Sequence, residues 1–279
     1  MKTFSNKVAA ITGAGSGMGR ALAVQLAKLN CAVAISDVVD DILRETESML
    51  GEYDVKVSRH LVDVSDRAAM EQFASEANAA HGKINLVFNN AGVSVTDTAE
   101  HMSYEDFEWL MNINFWGVVH GTKAFLPFLQ QASEAHIINT SSIFGILAFP
   151  TQSAYNASKF AVRGYTEALR QELADTHIGV SCVHPGGVKT NIVKTSRYTP
   201  SDNESPTKED FEETFEQLAA LTSDEAALII LRGVEKNKAR ILVGRDAKLL
   251  TLISRLVPVN YPKLLSLMGN DVADLTKKD

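Results

Sequence analysis

The chain has 279 residues, 45% of them hydrophobic, and a formal net charge of −7 at pH 7. That length admits one large α/β domain or two small ones, with apolar content ample for a buried core. The acidic balance, unopposed by any block of Lys and Arg, excludes a general binder of nucleic-acid backbone. Two cysteines, Cys31 and Cys182, both in strand-like runs, predict core thiols rather than a disulfide.

From the N-terminus, Met1 to Asn6 leads directly into the apolar run Lys7-Val8-Ala9-Ala10-Ile11, leaving no room for a secretory leader. A cytoplasmic protein is the expectation. The run predicts a buried strand over 7–12, and Leu22, Leu26 and Leu29 at helical spacing predict a helix over 17–29. Between them lies Thr12-Gly13-Ala14-Gly15-Ser16-Gly17-Met18-Gly19. Strand, glycine turn and helix start form a phosphate cradle. Gly13 allows the tight turn, and Ser16, Gly17, Met18 and Gly19 offer a pyrophosphate the positive end of the helix. A second strand over 31–36 ends at Asp37. A carboxylate there accepts hydrogen bonds from a ribose diol and repels a 2′-phosphate, so NAD is expected over NADP. No basic residue at Ser16 or Val38 argues the other way.

Further strands are predicted at about 55–62, 84–89, 136–140, 178–184 and 240–243, with helices at about 66–80, 103–131 and 152–175. This alternation predicts an α/β doubly wound parallel sheet, the Rossmann fold, of about seven strands with helices on both faces. No Pro/Gly/Ser-rich linker divides the chain, which reads as a single domain over 1–279. Such sheets bind ligands at the carboxyl ends of their strands.

Tyr155 and Lys159 stand four residues apart, so on a helix both leave one face. An ammonium beside a phenol favours the phenolate, and such a phenol can exchange a proton with an alcohol or ketone oxygen. The pair gains weight from the glycine motif.

Gly13-x-x-x-Gly17-x-Gly19 with Tyr155-x-x-x-Lys159 resembles the short-chain dehydrogenase/reductase family. Other pieces of that pattern follow in order: Asp63-Val64, Asn89-Asn90-Ala91-Gly92, Asn114, Ser141-Ser142 and Pro185-Gly186. The resemblance spans roughly residues 5 to 245. It implies catalysis by Asn114, Ser142, Tyr155 and Lys159, with Tyr155 as acid/base and Ser142 on the substrate oxygen. Lys159 would lower the Tyr155 pKa and bond the nicotinamide ribose, and Asn114 would hold a water linking Lys159 to solvent. Asp63, Val64, Asn90, Ala91, Gly92, Pro185, Gly186, Val188 and Thr190 would complete the cofactor site, and no metal is expected. Each polar residue also has a plain structural reading: Asn114 a helix-bulge amide, Ser142 a turn cap, the Asn89-Asn90 pair a brace between strands.

Residues about 190–222 are polar at first, with Thr199-Pro200-Ser201-Asp202 and Ser205-Pro206, and read as a lid leading to a helix from about Lys208 to Leu221. A C-terminal extension at about 245–279 carries two apolar runs, each too short to cross a bilayer. It could flap over an apolar substrate cavity, contact another subunit, lie on a membrane surface, or simply pack on its own core. With Ile143, Phe144, Ile146, Leu147 and Phe149 near the site, it tilts the reading towards a lipophilic secondary alcohol or ketone. Two alternatives stay open: an NADP-linked 3-oxoacyl thioester reductase and a non-catalytic dinucleotide-binding scaffold. The family implies a homodimer or homotetramer.

Overall fold

In the computed structural model, which describes residues 1–198 and 207–268, the N-terminal half is a run of strand–helix units. β1 (Val8–Thr12) leads through the glycine turn to α1 (Gly17–Lys28), and β2 (Ala32–Asp37) to α2 (Asp40–Leu50). β3 (Val57–Leu61) and α3 (Arg67–His81) follow, then β4 (Leu86–Asn89) and the two-residue β5 (Val95–Thr96). α4 (Tyr104–Met111) passes through a π-helical turn, Asn112–Trp116, into α5 (Gly117–Gln131). β6 (Ala135–Thr140) precedes α6 (Ser153–Glu172), and β7 (Ile178–Pro185) precedes the short β8 (Arg197–Tyr198). The chain closes with α7 (Lys208–Leu218), α8 (Ser223–Glu235), β9 (Arg240–Val243), α9 (Arg245–Leu256) and α10 (Tyr261–Met268).

Seven of the strands make one parallel sheet in the order β3-β2-β1-β4-β6-β7-β9, while β5 pairs β8 apart from it. Its central strands are buried on both faces: all five residues of β1 and all six of β6 are covered. That is why they read as continuous apolar runs instead of alternating ones. One face packs under α1 and α8 through Leu22, Leu26, Ile230 and Leu231; the other packs under α3 and α5 through Phe73, Phe125 and Leu129. Each such side chain contributes about 1.5–3 kcal/mol by leaving water. The order reverses direction between β1 and β4, and the crevice at that switch point lies beside the glycine turn.

The structure alters several expectations. The predicted helix over 103–131 is three pieces, because the π turn inserts extra backbone at 112–116. α2 and α8 add helices beyond those expected. The helix after the lid stops at Leu218; Leu221 instead bridges to Val188, and its carbonyl accepts the Lys189 N–H. Thr199-Pro200-Ser201-Asp202 and Ser205-Pro206 lie outside the described residues. Among the described residues, no helix is long and apolar enough to cross a membrane.

Candidate active site

The nucleotide end is built by glycines that only glycine can fill. Gly13 has φ +64°, and a Cβ there would meet the Ala91 backbone at 2.8 Å; at Gly19 it would sit 2.0 Å from the Gly13 carbonyl. Ser16 is the N-cap of α1 but its side chain makes no cap bond, and the first turn holds no acid. The N–H groups of Gly17 and Met18 therefore face the crevice with the helix's positive end unanswered. Asp37 ends β2 beside this turn: Oδ2 accepts the Gly15 N–H at 2.9 Å and Oδ1 the Val39 N–H at 3.2 Å. Arg20, at the start of α1, bonds the Gly15 and Ile42 carbonyls, the Thr46 hydroxyl and Glu45.

Around the rim, Asp63 caps its own turn by accepting the Ser65 N–H and hydroxyl, while Val64 is buried against Gly117. Thr12, which sequence reasoning left without a role, accepts the N–H groups of Asn90 and Ala91 at 3.0 and 3.1 Å. Asn90 Nδ2 gives a bond to the Thr12 carbonyl, and buried Asn89 ties β4 to Asn139 on β6 and Thr122 on α5. The brace reading of both asparagines thus holds, with Ala91 and Gly92 delivered to the crevice.

The catalytic end gathers on α6 and the carboxyl ends of β6 and β7. Tyr155 and Lys159 leave one face of α6, as their spacing predicts. Ser142 stands beside the Tyr155 phenol, where it favours the ionised form, and caps the short helical turn at 143–145 by accepting the Phe144 N–H at 3.1 Å. Its neighbour Ser141 points the other way, donating to the Lys159 carbonyl at 2.7 Å. Lys159 is 2% exposed; its Nζ donates to the Thr140 carbonyl at 3.1 Å and lies 5.5 Å from the Tyr155 ring centroid.

Here the structure corrects the expected electrostatics. Burial pushes the Tyr155 phenol up to about 12, with Ser142 opposing, and pushes Lys159 down to about 8. The ammonium sits 5.5 Å from the ring centroid and bonds Thr140, and at the phenol burial outweighs it. Asn114, in the π turn, is fully buried: Nδ2 donates to the Val93 carbonyl at 2.9 Å and to Ser158 at 3.2 Å, and Oδ1 accepts the Val93 N–H at 2.8 Å. Those bonds make it the bulge amide, and they also set Oδ1 close to Gly92, where a built Cβ would lie 3.3 Å from both Asn114 Oδ1 and Lys159 Nζ.

Beyond β7, Pro185 and Gly186 turn against Asp246, whose Oδ2 accepts the Gly187 N–H at 2.6 Å; a Cβ on Gly186 would meet that carboxylate at 1.9 Å. Val188 is buried, and Thr190 reaches the glycine turn, within 3.3 Å of a Cβ built on Gly17. The following stem is pinned to α4 by Arg197, which pairs with Asp106 at 2.7 Å and lies 3.7 Å above the Trp109 ring. His184 on β7 is fully buried and bonds the Ser142 carbonyl through Nδ1 at 2.9 Å, leaving Nε2 with no protein partner. Burial pushes it down to about 4, so the ring is neutral. Asp246 and His184 were missed. Asp246 carried one usable signal, an acid in the first turn of a helix opening just past a strand-ending glycine.

A parallel sheet with a glycine-turn phosphate cradle and a Ser/Tyr/Lys cluster at its carboxyl edge defines a dinucleotide-dependent oxidoreductase. Residues 7–201 match the family model described as short chain dehydrogenase, and the chain belongs to that family. It is 43% identical over 269 residues to SadH of Mycobacterium tuberculosis, named as an oxidoreductase, with 95% of this chain and 96% of that one covered. It is 30% identical over 263 residues to the 3-ketodihydrosphingosine reductase of Bacteroides thetaiotaomicron, covering 94% and 93% of the two chains. A short chain dehydrogenase/reductase from Burkholderia phymatum, solved in complex with NAD, superposes with a TM-score of 0.82 at 33% identity, over 95% of this chain and 97% of that one.

Proposed function

We propose that this protein interconverts a lipophilic secondary alcohol and its ketone, using NAD. The observation that carries the reading is the grouping of Ser142, Tyr155 and buried Lys159 at the carboxyl edge of the sheet, with the Lys159 ammonium 5.5 Å from the Tyr155 ring. Tyr155 takes the hydroxyl proton on oxidation and returns it on reduction, while Ser142 holds the reacting oxygen against it. Lys159 holds the nicotinamide ribose, and the residues from Gly13 to Gly19 hold the pyrophosphate. NAD supplies the hydride acceptor, and the positive charge of its oxidised ring favours the Tyr155 phenolate.

Support for NAD over NADP comes from Asp37 at the ribose end and from Arg20, which is held by the Gly15 and Ile42 carbonyls, Thr46 and Glu45. Support for a lipophilic substrate comes from the wall beside Tyr155. Ile143 and Leu147 cluster with Leu250 of α9 and Leu265 of α10, and Phe144 meets the Tyr155 ring edge-on at 6.0 Å. The sphingosine-type relative points the same way. In this reading residues 1–279 form a single domain, with a lid at about 190–222 and the extension at 245–279 closing the substrate side. The aromatic residues exposed on α4 to α6, with Tyr104 at 88%, Trp116 at 47% and Phe160 at 40%, form a homodimer face.

The test is NADH formation from secondary alcohols of graded chain length, run beside NADP, with light scattering on the same sample. Rising kcat/KM with chain length, preference for NAD and a dimer are the expected outcomes. Turnover of none of the alcohols would reject the reaction, and preference for NADP would reject the reading of Asp37.

A further inference from the structure

We propose that the outer face of the C-terminal arm, α9 with the start of α10, docks the protein onto an anionic bilayer surface. The inner face of the arm is already occupied. Ala247, Leu250 and Ile253 are buried, the first two against Ile143 and Leu147, and Tyr261 bonds both the N–H and the carbonyl of Ala148. The outer face has no such cover. Lys248, Leu252, Arg255 and Leu256 lie one helical turn apart or adjacent, so along α9 they share one side, and Val259 follows in the turn between α9 and α10. Leu252 is 53% exposed, Leu256 72% and Val259 82%.

The charge on this side runs against the rest of the molecule. From Ala247 to Asn270 the sequence holds Lys248, Arg255 and Lys263 and no acidic residue, in a chain whose net charge is −7. Lys248 also lines a surface depression of about 220 Å³ together with Arg232, Lys236 and Lys238. Among the described residues, none of these six cations has an ion pair.

Exposed aliphatic side chains of the arm set beside unpaired cations match the boundary between lipid headgroups and acyl chains. Leu252, Leu256 and Val259 enter the acyl margin while the cations meet phosphate. A second copy of the chain fits less well, because a two-fold contact through this face would bring the six cations against their own kind. The consequence for the site is one of place. The docked arm is the same arm that walls the segment 143–149, so a membrane-borne alcohol would meet the enzyme on its substrate side.

Docking does not depend on the reaction, so its test needs no turnover. Full-length protein is sedimented with vesicles of phosphatidylcholine alone and of an equal mixture with phosphatidylglycerol. Binding to the mixed vesicles only, released by added salt, is expected. Replacing Lys248, Arg255 and Lys263 together by Gln should weaken it about a hundredfold, at roughly fivefold for each charge. Replacing Leu252, Leu256 and Val259 by Ser should also weaken it, with the oligomeric state in light scattering unchanged. Absence of binding to anionic vesicles at low salt overturns the proposal, as does binding indifferent to the charge substitutions. A Ser variant that falls to a smaller assembly would instead assign the face to a second copy.

Discussion

A phenol pushed up to about 12 is a weak base at neutral pH, so the Tyr155 hydroxyl needs help that burial alone withholds. Ser142 supplies part of it by favouring the ionised form, and Lys159 and the cofactor supply the rest in the proposed reaction. Tyr155→Phe keeps the ring edge against Phe144 and removes only the hydroxyl. Turnover should fall by about 10²–10⁴-fold, with NAD binding followed by fluorescence left intact; wild-type turnover in that variant would end the assignment. Lys159→Ala should weaken NAD binding and turnover together. Asp37→Ser should narrow the NAD preference by weakening the ribose contact and relieving repulsion of a 2′-phosphate, measured as the ratio of kcat/KM for the two cofactors. These residues were legible because their meaning is local: a four-residue step on a helix, a glycine turn, an acid at a strand end. Ser141 and Ser142 could be told apart only through family spacing. The fold separates them because successive side chains on extended backbone point to opposite sides. His184 and Asp246 act across 42 and 59 residues of sequence, a distance at which no spacing rule connects two side chains.

At the level of elements, the central strands were legible because a parallel strand covered on both faces is a plain apolar run. The π turn was legible only through the reading of Asn114 as a helix-bulge amide, since the apolar rhythm of α4 continues into α5 and the extra residue leaves no gap in the pattern. α8 had announced itself through the Thr222/Glu225 capping box, a readable signal that went unused. The C-terminal arm was legible as apolar but not in its target. That target is the post-β6 segment, and Tyr261 is the latch, its hydroxyl accepting the Ala148 N–H at 2.9 Å. Tyr261→Phe removes the latch while leaving most of the ring's packing, a loss of about 0.5–1.5 kcal/mol. The expected result is a KM raised about two- to tenfold for long-chain alcohols and unchanged for short ones, with NAD affinity unaltered. An equal rise for all substrates would mean that the arm supports the site only indirectly.

For the molecule as a whole, two buried histidines set an acid limit. His136, near the start of β6, is 1% exposed and bonded to Ser181 through Nε2 at 2.8 Å; His184, near the end of β7, is fully buried. Burial holds them down to about 3 and about 4, against an ordinary value of 6.5. Above pH 6.5 both are neutral whether the chain is folded or not, and they add no pH dependence. As pH falls below that value the unfolded chain takes up the protons while the folded one refuses them, so stability declines. The decline runs until the folded-state values near 4 and 3 are reached. At pH 6.5 the unfolded imidazole is only half protonated, so each histidine removes about 1 kcal/mol between pH 6.5 and pH 5.5 and the pair about 2 kcal/mol, with the slope approaching about 1.4 kcal/mol per pH unit each below that. Glu134 and Glu167 are held below the usual carboxylate range by their cationic partners, and their loss belongs to lower pH still. Urea unfolding at pH 7.5, 6.5 and 5.5 checks this: little change over the first interval, a clear loss over the second. His184→Asn can still donate to the Ser142 carbonyl but cannot be protonated near neutrality, so it should halve the acid slope. A slope that is unchanged in that variant, or a wild-type profile flat from pH 7.5 to 5.5, would show that the buried histidines are not what limits the fold in acid.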